Sequence, residues 1–436
     1  MSTSISSQGL YSLSKKQKEL VTGDDARTKT GYRRIKGPAG SGKSLVLAAR
    51  AAQLATEKKD VLVVTFNITL RNYLKSLAIR YLKNLEDQPP DVETLIAEQI
   101  TWYHFHGWCK SMCKEAGLEN EYQNVWKKPV DIANLVNEAL DSLLDDRRPI
   151  GLRPTYDAIL VDEGQDFNID WWHALQRVRR SENSKSSEMP SEMLLVADKT
   201  QDLYNRAKYW TDKSMKGAGF VGAWKGLDIS YRMPPKLIKY LQQYAEKYLP
   251  KDSKESENPS IDLPEPESDE LDKWPVEMIW RQVSEYSTRE EKASISVQAV
   301  QDMMEKGIAY SDITLLVSGH EMGLECVEML AEKHVETTHV FGKDWRESRK
   351  NKNKFNPGDN GKLKSSTIHS FKGWESSCMV ININHADAPE DMAAIYVALS
   401  RLKRREQGSY LTVICSTPEL KEFGETWPIY ELRDDR

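Results

Sequence analysis

Seven short apolar runs recur along the chain, each followed by a stretch with helical periodicity. They are Tyr32–Lys36, Val61–Thr65, Ala158–Val161, Met193–Ala197, Ile313–Val317, Cys378–Ile383 and Leu411–Cys415. Apolar runs bounded by polar turns and alternating with helices imply parallel sheets covered on both faces, an α/β architecture. One helix is marked at both ends: Ser287 with Glu290, or Thr288 with Glu291, offers a capping box, and Gly307 offers a C-terminal stop. Residues 71–154 read instead as helix-rich and crowd Trp102, Tyr103, His104, Phe105, His106 and Trp108 together. The expected division is a first α/β domain over 1–70 and 155–226, a small helical insert over 71–154, and a second α/β domain over 227–436. Glu182–Ser191 and the acidic loop at 251–272 are too polar to bury a core and read as exposed loops.

Composition narrows the class. A chain of 436 residues can hold two or three cores. No apolar run reaches the roughly 18 residues that span a membrane. The Ser-rich stretch Met1–Gly9 has no signal-peptide core, and the five scattered cysteines fit a reducing compartment. The expectation is a cytoplasmic protein with no membrane partner. A net charge of -5 means that any nucleic-acid site is a local groove and not a basic surface.

The chemistry begins at Gly37-Pro-Ala-Gly40-Ser41-Gly42-Lys43-Ser44, which matches G-x-x-x-x-G-K-[ST] between a strand and a helix. In that context glycines let backbone N–H groups close around phosphate oxygens, and the helix N-terminus adds positive potential. Lys43 then reaches the β- and γ-phosphates of ATP, and Ser44 ligates Mg2+. The run Ile159-Leu160-Val161 ends in Asp162 and Glu163. Asp162 is the second magnesium ligand, and Glu163 orients and deprotonates the attacking water. His104, His106, Cys109 and Cys113 also cluster, but without usual zinc spacing they read as buried thiols and a motif histidine.

These residues resemble the UvrD/Rep helicases of superfamily 1. Val161-Asp162-Glu163-Gly164-Gln165-Asp166 is similar to that family's motif II, and seven further motifs fall in order along the chain. Leu13 to Gln17 resembles the Q motif, Val64 to Asn67 motif Ia, and Phe105-His106-Gly107 motif Ib. Ala197 to Tyr204 resembles motif III, with alanine where glycine is usual, and Ser230-Tyr231-Arg232 resembles motif IV. Thr367 to Glu375 resembles motif V, and Tyr396 to Arg401 motif VI, with Ser400 in place of threonine.

The resemblance implies two RecA-like domains with ATP in the cleft between them. It gives adenine to Gln17 and Tyr231, γ-phosphate sensing to Gln201, and ribose to Glu375, with Gly373 in the same segment. Arg232 and Arg401 would stabilise the transferring phosphoryl group. Phe66, Asn67, Phe105, His106, Tyr204 and His369 would line the strand groove. The substrate implied is single-stranded DNA or a single-strand to duplex junction, with RNA left open because nothing here reads a 2′-hydroxyl.

The family's large insertion falls between motifs IV and V. Here Arg232 and Thr367 lie only 135 positions apart, so the form expected is compact. Motifs V and VI imply 3′-to-5′ movement, in DNA repair or anti-phage defence. The competing expectation is an ATP-dependent nucleic-acid sensor that switches a partner nuclease.

Overall fold

A computed structural model describes residues 13–22, 31–126, 128–180, 191–198, 217–220, 223–227, 229–230, 232–249, 265–266, 274–355 and 361–433. Gln201, Tyr204 and Tyr231 lie outside them, as do nearly all of the two segments read as exposed loops.

Two parallel sheets organise the described chain. The first has β1 (Tyr32–Lys36), β2 (Val61–Thr65), β3 (Ile100–His104), β4 (Ala158–Asp162), β5 (Glu192–Ala197) and β6 (Lys225–Gly226), in the order β3-β2-β4-β5-β1-β6. A short pair, β7 (Ile229–Ser230) and β8 (Glu265–Pro266), stands apart. The second sheet has β9 (Val276–Val283), β10 (Ile313–Val317), β11 (Thr337–His339), β12 (Leu363–Thr367), β13 (Cys378–Ile383), β14 (Ser409–Cys415) and β15 (Ile429–Arg433). Its order is β11-β12-β10-β13-β14-β9-β15. All seven apolar runs are strands of these sheets, and the fold is two RecA-like α/β units.

Strands buried on both faces read as unbroken apolar runs, which is why β2, β4 and β10 were plain in the sequence. Leu62 and Val64 of β2 join a core with Phe105, Trp108 and Trp171, whereas Val61 and Val63 join one beneath the Ala-rich helix Lys43–Thr56. The helix Arg289–Glu305 starts at the capping box of Thr288 and Glu291 and stops before Gly307, whose φ is +84°.

The stretch 71–154 differs from the separate insert expected. β3 pairs along β2 as the edge strand of the first sheet. Helices Phe105–Glu115 and Pro129–Leu143 pack into the core on that sheet's face. Its apolar residues are shared with the sheet, so the stretch has no core of its own.

Candidate nucleotide site and strand groove

In an open parallel sheet, ligands bind beyond the carboxyl ends of the strands, where the order of connection reverses. The phosphate loop leaves the end of β1 there, beside β5, and Asp162 closes the neighbouring β4. Two loop glycines carry the turn: Gly40 has φ +75° and Gly42 φ +88°, a region side chains disfavour. A Cβ on Gly42 would stand 2.4 Å from Gln17 Nε2, so the side chain from the Q segment lies directly over the loop. Gln17 Nε2 donates to the Ser41 carbonyl at 2.9 Å, and Gln17 Oε1 accepts from Ser14 N.

The predicted phosphate and metal residues meet. Ser44 Oγ donates to Asp162 Oδ2 at 2.7 Å, bringing the two candidate magnesium ligands together. Lys43 Nζ donates to the carbonyls of Gly37 and Pro38 and to Asp198 Oδ2 at 3.1 Å. Ser41 Oγ is buried in the same cradle with no hydrogen-bond partner among the described residues. An ammonium, a loose hydroxyl and a paired hydroxyl and carboxylate at one loop fit a triphosphate with its magnesium. Burial and the adjacent Glu163 charge push Asp162 up to about 7.

Glu163 sits in left-handed backbone, φ +54°, where a non-glycine residue is strained. Gln165 Nε2 donates to its carboxylate, and Gln165 Oε1 accepts from Asp198 N. Burial alone would raise the Glu163 carboxyl, but the charges of Lys372, Arg401 and Lys43 together hold it below the ordinary range. Two of those cations come from the second RecA-like unit.

Lys372 is 3% exposed and bonds both oxygens of Asp166, at 2.9 and 2.8 Å, with Glu163 Oε2 at 3.5 Å. Neither Asp166 nor Lys372 was given a role from sequence, although both stand inside quoted motifs. Arg401 is buried, donating Nε–H to the Val397 carbonyl at 3.1 Å. Arg232 donates to both oxygens of Glu375 at 3.1 Å. Glu375, expected at a ribose, is thus bonded to an arginine expected at phosphate. Gly373 packs against Leu70 of the first unit, an interdomain contact.

A cavity of about 480 Å³ opens between the two units on the motif Ia, Ib and V side. Phe66, Asn67, His106 and His369 line it, as four of the expected strand residues. Asn67 Nδ2 lies 3.1–3.2 Å from the carbonyls of His369, Ser370 and Lys372, latching one unit to the other. Phe105 is corrected. It is fully buried, stacked on Trp171 at 4.2 Å, and belongs to the core and not to the groove surface. Its aromatic type in a motif made the two roles indistinguishable from sequence. Cys109 and Cys113 are buried in that same core.

A family model for the UvrD/REP helicase N-terminal domain matches residues 22–129, the span holding the phosphate loop and the segments similar to motifs Ia and Ib. Over that span the chain is similar to the UvrD-like helicases of superfamily 1. UvrD-like helicases hydrolyse ATP in dependence on nucleic acid, and that general activity frames the phosphate loop and cavity described here. No curated protein matches the chain. Among the described residues, no helix is long and apolar enough to cross a membrane.

Proposed function

We propose that this UvrD-like chain is a compact DNA translocase or helicase that moves 3′ to 5′ along a single strand and serves DNA repair or defence against phage. The observation that carries the reading is the setting of Glu163, which lies at the end of β4 among Lys43 and two cations from across the cleft, Lys372 and Arg401. A carboxylate held ionised at the mouth of a phosphate loop is placed to orient water and take its proton.

Ser44 and Asp162 would hold the metal, which supplies charge neutralisation to the phosphates when bound. Lys43 would exchange its loop carbonyls for phosphate oxygens. Gln17 and Tyr231 would read adenine, and Gln201 the γ-phosphate. Arg401 and Arg232 stabilise developing phosphoryl charge, with Glu375 aligning the second. Because both arginines follow β7, hydrolysis is tied to the approach of the two units. The strand would run through the cavity lined by Phe66, Asn67, His106 and His369.

A second reading, a nucleic-acid sensor that switches a partner nuclease, keeps the ATP site and needs no strand separation. The short interval between Arg232 and Thr367 favours it.

The test is steady-state ATP hydrolysis with and without single-stranded DNA, beside Glu163→Gln. Strong stimulation, lost in the variant while ATP binding persists, supports the motor, and a polarity-resolved unwinding assay then separates it from the sensor. Equal turnover in the variant would refute the site assignment.

A further inference from the structure

The helix Trp345–Lys354, WRESRKNKNK, has no buried residue and carries five cations against one acid. It is not held by an apolar face. Asp344 caps it by accepting from the N–H groups of Arg346 and Glu347, Ser348 Oγ donates to the Val340 carbonyl, and Asn72 of the first unit donates to the Asn353 carbonyl. A polar helix pinned at both ends presents its outer side chains in fixed places without contributing to the core.

What it presents faces the cavity. Trp345, 64% exposed, lines that space from the second unit, and Trp126, 42% exposed, lines it from the first. Arg349 and Lys352 line it one and two turns along the helix from Trp345. Asp166 is the one acid among the described residues of the lining, and Lys372 pairs with it. The cavity thus joins two exposed indoles with an excess of positive charge, the combination that binds unpaired strands by stacking bases and tracking phosphates. Trp126, Trp345, Arg349 and Lys352 all lie outside the segments similar to helicase motifs.

We propose that Trp345 and Trp126 are a base-stacking pair for unpaired DNA, one indole on each unit, with Arg349 and Lys352 holding the backbone beside them. This rests on the strand-binding reading above and adds to it the residues that grip the bases. Charge complementarity selects a polyanion, and planar exposed indoles select one with accessible ring faces, which a duplex does not offer. Because the two rings stand on different units, the grip tightens or loosens with the cleft.

The experiment is fluorescence anisotropy with the full chain and two labelled probes of equal length, an oligo(dT) and an abasic deoxyribose-phosphate strand. Stacking on a base predicts that Trp345→Ala and Trp126→Ala each weaken oligo(dT) binding by roughly 5- to 150-fold. They leave abasic binding unchanged, and Trp345→Phe restores most of the loss. Arg349→Ala with Lys352→Ala weakens both probes and flattens the salt dependence. Oligo(dT) affinity unchanged in both tryptophan variants overturns the proposal. So does an equal loss on both probes, which assigns the indoles to packing. If the parent chain binds neither probe, the strand-binding reading itself falls, and the proposal with it.

Discussion

The two ends of the interdomain cleft are built on opposite plans. At the phosphate loop Lys43, Asp162, Glu163 and Lys372 are all buried and hydrogen-bonded. At the groove Trp126, Trp345 and Arg349 stand in solvent. Desolvation accounts for the difference. Groups that must act on a developing phosphoryl charge gain strength in a low-dielectric, fixed surrounding. A surface that holds a polymer through many weak contacts needs no such enclosure, and each contact must be easily released. Substitutions at the first end should therefore be severe and local, and those at the second graded.

The largest effect expected is at Arg401. Arg401→Ala should lower kcat by roughly 10³–10⁵-fold while nucleotide affinity holds. Single-turnover hydrolysis beside an equilibrium nucleotide titration measures both, and an unchanged rate would place the arginine elsewhere.

Next comes the buried triad beneath the nucleotide site. Glu192 pairs with Arg33 at 2.7 Å and Arg50 at 2.6 Å, and both arginines reach back to carbonyls of the helix Lys15–Thr22 that carries Gln17. Glu192→Ala strands two buried cations and should cost about 3–5 kcal/mol in denaturant unfolding. Burial would raise the Glu192 carboxyl, but Arg50 and Arg33 hold it below its ordinary value. Its contribution is thus fully present above the ordinary glutamate pKa and is lost as pH falls through the lower folded value. A parent chain whose stability does not drop more steeply than the variant's on acidification would contradict this.

Phe105→Ala separates the two plans most directly. The loss of a fully buried ring should cost ~3–5 kcal/mol of stability, with strand affinity of the folded fraction unchanged. A selective loss of affinity without destabilisation would return Phe105 to the groove. Smallest is Asn67→Ala. It removes the latch to His369, Ser370 and Lys372 and should cost about 1 kcal/mol, read as a modest rise in protease cutting between the units.

The phosphate loop and the Asp162–Glu163 pair were legible because their chemistry is local, a few consecutive residues at the end of a strand. The pairings across the cleft were not. Lys372 and Asp166 are 206 positions apart, and Arg232 and Glu375 are 143. Three of the strands outside the seven apolar runs are polar for identifiable reasons as well. β12 reads Leu-Lys-Ser-Ser-Thr, with buried Ser365 and Ser366 where apolar residues were sought. β9 buries Arg281, satisfied by Asp302 and Glu431. β3 is an edge strand with a half-exposed middle. In β9 partners supplied by the fold offset a polarity that the chain alone could not explain, whereas Ser365 Oγ of β12 is buried with no hydrogen-bond partner among the described residues. The helix Trp345–Lys354 carries no apolar periodicity for the converse reason, since its residues answer to a surface and not to a core.

Lys372 belongs to both ends at once: its ammonium grips Asp166 beside Glu163, and its side chain lines the groove cavity. A nucleotide and a strand that both acted on this cation would form a closed thermodynamic cycle. By whatever factor a bound nucleotide changes the affinity for a strand, the strand must change the affinity for that nucleotide equally. The bookkeeping between fuel and track would then be kept by a single proton-bearing nitrogen, with no long relay through the sheets.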